Sequence, residues 1–191
     1  MKKIFIGKLS EDYEKKLPEK LASLNKDRAA DLSRRKKRTE YAISVYASAA
    51  VAEIAKEFLE KNSTELVFEK DENGKPHFKG IDGLFFNISH SFPFYAAAIA
   101  DTPIGIDVEA IRDVNLKIAQ RMFTENEQKY VGKDKIRFLE IWTKKEAYSK
   151  FTGKGISEKF SSFDVLLPPL SDNFTVTIDN DTVVVIYCED K

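Results

Sequence analysis

Between Leu84 and Val108 the chain sets three short apolar runs almost end to end, "LFFNIS", "FYAAAIA" and "IGIDV", separated only by "HSFP" and "DTP". Runs this short, bounded by turn residues, read as β-strands, and connections this short favour antiparallel neighbours. Upstream, "LVFEKDENGKPHF" reads as a hairpin whose Asn73-Gly74 supplies the positive φ of a two-residue turn. Ile43, Tyr46, Ala50, Ile54 and Phe58 recur three or four apart, which predicts one buried face of a long helix after a charged segment. With a strand at Ile4–Ile6, the expectation is a mostly antiparallel sheet backed by that helix.

The second half repeats that grammar, with helices first and a hairpin later. "NLKIAQRMF" is amphipathic, "TENEQKYV" restarts a helix, and "DKIRFLEIWTKKEAYSKF" holds helical spacing until Gly153. "FDVLL", "FTVTI" and "TVVVIYC" then read as strands, with Pro168-Pro169 in a loop. The fold class expected is α+β, two halves of similar size, 1–102 and 103–191, each a sheet packed on a long helix. At 191 residues the chain has ample length for a hydrophobic core.

Lysine plus arginine equals aspartate plus glutamate at 31 each, so no net field exists to recruit nucleic acid or an anionic membrane. Any anion must be bound locally. The one cysteine, Cys188, has no intramolecular disulfide partner, and "MKKIFIGKLS" is too short an apolar run for a secretory signal. No stretch approaches the roughly 20 apolar residues of a membrane span. A soluble, cytoplasmic protein is the expectation.

Asp107 and Glu109 stand two apart at the end of an apolar run, so on a strand both carboxylates leave one face, about 7 Å apart at Cα. Trp142, Glu146 and Lys150 are spaced four apart, one line along a helix with the acid in the middle. Mg²⁺ takes one or two carboxylates and fills its remaining sites with water and substrate phosphate oxygens. Each piece also has a plain alternative. Glu146 and Lys150 have the favoured orientation of a surface i,i+4 pair, worth a few tenths of a kcal/mol. Asp107 and Glu109 suit the polar face of an edge strand, and Thr124 with Glu127 forms a capping box. Phosphate-binding residue types lie in the other half: the basic run Arg34–Arg38, Lys75 after the hairpin turn, and Ser89 and His90 after a strand.

In order along the chain, "GKP" (74–76), "FNISHS" (86–91), "PIGIDVE" (103–109), "RMFTENE" (121–127) and "WTKKEAYSKFTGKGIS" (142–157) resemble the phosphopantetheinyl transferases of the surfactin-synthetase-activating (Sfp) type. "GIDVE" is followed by "WTKKEAYSK" about 33 positions later, a specific signature. The resemblance implies two pseudo-symmetric halves with coenzyme A in the cleft between them, and a monomer. It implies Mg²⁺ on Asp107, Glu109 and Glu146, Lys150 on the reacting phosphate, and Lys75, Ser89 and His90 on coenzyme A, the last two near its 3′-phosphate. Arg38 is the match for a further basic residue there. Ala42 and Phe92 depart from the family pattern, each standing where glycine is usual.

The activity implied is Mg²⁺-dependent transfer of 4′-phosphopantetheine from coenzyme A to a serine of an acyl or peptidyl carrier protein, releasing adenosine 3′,5′-bisphosphate. The base for the serine proton is Glu146, Glu127 or a metal-bound water. Carrier contact is expected around "NLKIAQRMF", where Leu116, Met122 and Phe123 are candidates for either surface or core. A non-catalytic binder of coenzyme A or of carrier domains would be expected to have lost an acid or Lys150, and all are present. A metal-dependent nuclease needs an acid-x-Lys strand and a basic face, whereas Ala110 and Ile111 follow Glu109.

Overall fold

The run Phe94–Ala100 carries four alanines because it lies between two layers. In the computed structural model, which describes residues 1–59, 66–72, 74–153 and 159–189, it forms β5 (Phe94–Ala100). It is the central strand of an antiparallel sheet flanked by β1 (Lys2–Lys8) and β4 (Phe85–Ser91). Alternate side chains serve alternate layers. Tyr95, Ala97 and Ile99 join the core under α3 (Arg38–Phe58). Ala96, Ala98 and Ala100 join a second core with Ile104, Ile106, Val108, Val184 and Ile186. Alanine methyls let both layers come close.

The expected long helix is α3, but it is buried on more than one face: every residue from Ala42 to Ala52 is inside. Its outer side is covered by α1 (Tyr13–Ala22) and α2 (Lys26–Ser33), which the charged segment before it conceals. Those helices anchor through single leucines, Leu17 and Leu32, too few to print a periodicity. The expected hairpin is a separate two-stranded sheet, β2 (Phe68–Lys70) with β3 (Pro76–Phe78). Its connection runs over 71–75 rather than two residues, closed by Asp71 N to Lys75 O at 2.9 Å with Gly74 at φ 82°. Asn73 lies outside the described residues.

"IGIDV" leaves the first sheet. As β6 (Gly105–Ala110) it pairs antiparallel with β8 (Thr182–Tyr187), which pairs in turn with β7 (Phe174–Ile178). A strand's partner is chosen by long-range packing that local pattern does not carry. "NLKIAQRMF" is a 3₁₀ turn (Leu116–Ile118) followed by the short α4 (Ala119–Met122), and "FDVLL" forms no strand. α5 (Glu125–Val131) begins at a Thr124–Glu127 capping box, and α6 (Lys135–Thr152) ends on Gly153 at φ 73°. α6 packs on β6 and β8, so each sheet has its long helix and the two halves repeat one architecture around a central cleft.

β4 and β6 run side by side but belong to different sheets, and side chains join them. Asn87 Oδ1 accepts from Ile106 N at 3.4 Å, Ser89 Oγ donates to Asp107 Oδ1 at 2.6 Å, and Ser91 Oγ donates to Glu109 Oε2 at 2.9 Å. The cleft opens along this seam.

Candidate active site

The acids of "GIDVE" are the seam residues of β6. Asp107 is only 4% exposed, which removes it from any solvated strand face. Its Oδ1 accepts from Ser89 and, at 2.6 Å, from Lys150 Nζ; Lys150 also donates to Ser89 Oγ at 2.7 Å. Its Oδ2 is buried and has no hydrogen-bond partner among the described residues. An unpartnered carboxylate oxygen inside a protein costs on the order of 1–3 kcal/mol, more when charged. Glu109 is held by Ser91 and by Arg112 Nη2 at 3.0 Å.

Glu146 faces these two from α6. Its carboxyl is raised from its ordinary 4.5 to about 7, first by burial and then by the negative charge of Asp107. Burial and Asp107 raise Glu109 as well. Lys150 sits one turn beyond Glu146 and pairs with Asp107 of the neighbouring strand, so the expected surface pair within the helix gives way to a bridge from helix to strand.

What brings α6 this near is Gly105. A Cβ there would collide with the Ala147 carbonyl and approach the Phe151 amide, so only glycine lets the helix backbone lie directly on the strand. The glycine of "GIDVE" is therefore a packing requirement, and its only sequence signal is its place before the acids.

Asp107, Glu109, Trp142, Glu146 and Lys150 line one cavity of about 360 Å³ together with Ser89, His90, Ser44, Arg28 and Arg35. The lining is mixed, three acids with Arg28, Arg35, His90 and Lys150. Lys75 lines an adjoining cavity of about 250 Å³ that shares Ile88 and Lys150 with the first. Its ammonium reaches the Phe151 carbonyl at 3.2 Å, and burial lowers its pKa. Burial also lowers that of His90, with Lys150 and Arg35 adding to the effect.

Two expected residues are not brought there. Arg38 does not line the cavity; its Nε pairs with Glu14 at 3.3 Å on the surface. Arg28 and Arg35 line it instead. Arg28 lies outside the basic run, and its signal is visible only through the packing of α2 on α3. Glu127 is fully buried away from the cavity, paired with Lys145 at 2.9 Å and accepting from Thr124 N and Val165 N. The end of the matched stretch, 154–157, lies outside the described residues.

Among the described residues no three histidine, cysteine, aspartate or glutamate side chains are gathered into a group that could hold a metal ion. No helix there is long and apolar enough to cross a membrane. Beside "NLKIAQRMF" a smaller cavity of about 190 Å³ shares Glu109 and Trp142 with the main one and is bordered by Ile118, Phe138 and Arg112. Phe123 is core at 2% exposure, Leu116 and Met122 are partly buried, and Ile118 is 38% exposed.

From Pro103 onward, the stretch holding all three acids and Lys150 matches a known superfamily profile, through to residue 189. Residues 103–189 match the model of the 4′-phosphopantetheinyl transferase superfamily. Similar proteins come from several of its branches. The 4′-phosphopantetheinyl transferase psf-1 of Bacillus pumilus is 39% identical over 108 residues, 54% of this chain and 46% of that protein. The transferase Sfp of Bacillus subtilis is 36% identical over 111 residues, 56% of this chain and 50% of its own. AcpT of Salmonella typhi is 35% identical over 105 residues, 51% and 54%. The chain thus spans about half the length of the curated relatives it matches. The matched region includes the acids and the lysine of α6.

Proposed function

We propose that the protein is a phosphopantetheinyl transferase of the Sfp type, moving 4′-phosphopantetheine from coenzyme A to a serine of an acyl or peptidyl carrier protein. The observation that carries this is the lining of one cavity, where Asp107, Glu109, Glu146 and Lys150 share the wall with Ser89, His90, Arg28 and Arg35.

The donor set suits a divalent cation. Among the described residues Asp107 Oδ2 is buried without a partner, and the charge of Asp107 raises the pKa of both Glu109 and Glu146. Asp107, Glu109 and Glu146 would hold Mg²⁺, a hard ion suited to carboxylate and phosphate oxygen. When bound, it supplies positive charge against the pyrophosphate as negative charge builds there.

The chain's own groups do the rest. Lys150, poised at Asp107 on the rim of both cavities, offers an ammonium to the phosphoryl group being transferred. The carrier serine oxygen attacks the β-phosphorus in line, and the bond to the bridging oxygen breaks, leaving adenosine 3′,5′-bisphosphate. Positioning and electrostatics account for most of the rate in such transfers. Lys75, Ser89, His90, Arg28 and Arg35 are the side chains available to hold coenzyme A. Glu127 is engaged by Lys145 and two backbone amides, which favours Glu146 over it as the carboxylate near the reacting atoms. The cavity beside Ile118 is where a hydrophobic carrier helix would approach.

The test is incubation with coenzyme A, Mg²⁺ and a panel of apo carrier proteins, read by the mass added to each. Gain of one phosphopantetheine on at least one carrier is the expected result. Coenzyme A binding without modification of any of them points instead to a non-catalytic binder of the same fold.

A further inference from the structure

α3 carries two buried serines one turn apart, Ser44 and Ser48, 2% and 0% exposed. Each donates its hydroxyl proton to the carbonyl a turn back, Ser44 to Glu40 O at 2.7 Å and Ser48 to Ser44 O at 2.8 Å. A hydroxyl has one proton, so with that proton committed each oxygen meets any further neighbour only as an acceptor. In both cases the neighbour is a basic side chain of the cavity wall. Ser44 Oγ lies 3.1 Å from His90 Nε2. Ser48 Oγ accepts from Arg28 Nε at 3.1 Å and Nη2 at 2.8 Å.

The two bases come from different elements, His90 from β4 and Arg28 from α2. The serines tie both to one rigid helix. Arg28 is held further by Asp31 at 3.4 Å and by its place over the Phe68 ring. The network also assigns a tautomer: since Ser44 can only accept, a neutral His90 carries its proton on Nε2.

We propose that Ser44 and Ser48 are positioning residues for a non-reacting phosphate of the substrate: Ser48 holds Arg28 as a preformed donor, and Ser44 anchors His90 through Nε2–H, so that the ring donates from Nδ1 when it is protonated against the phosphate. This rests on the coenzyme A reading above, in which that group is the 3′-phosphate. Preformed donors bind without the cost of ordering two long side chains on association.

The first measurement needs no variant and no ligand. ¹⁵N NMR of the parent protein should show the neutral His90 ring protonated at Nε2, with the signal identified by its loss in His90→Ala; protonation at Nδ1 overturns the proposal. Ser44→Ala, checked for folding by circular dichroism, should lose that single tautomer. Calorimetry then compares coenzyme A with 3′-dephospho-coenzyme A. Ser44→Ala and Ser48→Ala should each weaken coenzyme A by about fivefold, the scale of one hydrogen bond, and leave the dephosphorylated form unchanged. Adding Ser44→Ala to His90→Ala should cost nothing further, because one acts through the other. Equal losses for both ligands, or additive losses, overturn the positioning role. A Ser44-dependent tautomer in a parent protein that binds no coenzyme A overturns the functional reading and leaves the geometry standing.

Discussion

Asp107 is buried at the seam, where one oxygen accepts from Ser89 and Lys150 and the other has no partner among the described residues. Asp107→Ala should therefore leave a folded protein with carrier modification reduced at least about 100-fold, the scale of removing one electrostatic stabiliser. Near-full activity by the mass assay would remove Asp107 from the cation site. Glu146 gives a sign that pH can read. Its folded pKa of about 7 lies above its ordinary 4.5, so its contribution to stability is full below about 4.5 and is lost as pH rises through about 7. For the metal-free protein, the parent should lose Tm relative to Glu146→Gln across that window, and added Mg²⁺ should raise the parent's Tm more at pH 8 than at pH 5. A parent and variant that stay parallel across the window would contradict it. The i,i+2 and i,i+4 spacings of these residues were legible in the sequence. The unpartnered Oδ2 was not, because it depends on what β4 and α6 bring to it.

At the scale of elements, two contacts fix α6. Gly105 lets its backbone rest on β6, and Gly105→Ala should force strand and helix apart, lowering Tm and separating Glu146 and Lys150 from Asp107, so that transfer falls with stability. Unchanged Tm would mean that the helix can shift at no cost. The second contact is the fully buried Glu127–Lys145 pair, whose ammonium also donates to the Phe160 and Phe163 carbonyls at 2.6 Å each. It ties α5 and the segment after α6 to the helix carrying the site. Glu127→Gln should cost about 3–5 kcal/mol in urea unfolding, since it strands a buried charge; a loss below about 1 kcal/mol would show that Lys145 is satisfied by the carbonyls alone. Helices α3, α5 and α6 were legible from periodicity and caps. α1 and α2 were not, because one or two leucines among charges leave no pattern, and "FDVLL" misled because its buried residues belong to a turn.

The whole molecule is two repeats of sheet and helix, yet the sequence boundary after residue 102 falls in the turn between β5 and β6, inside a shared core. Ala96, Ala98 and Ala100 from one sheet pack with Ile106, Val108 and Ile186 from the other. Unfolding should be one cooperative event. Fluorescence of the one tryptophan, Trp142 in the second half, should change at the same urea concentration as far-UV circular dichroism of the whole chain; separated midpoints would show halves that fold on their own. By itself the sequence determined the strand-rich centre, the long helices and the order of acids, lysine and histidine, because spacing and local propensity are written in neighbouring residues. Only the tertiary structure decided that "GIDVE" joins the second sheet, that Glu127 serves a buried ion pair, and that Arg28 and Arg35 rather than Arg38 border the cavity. Those outcomes turn on which distant surfaces meet, and no local spacing encodes that.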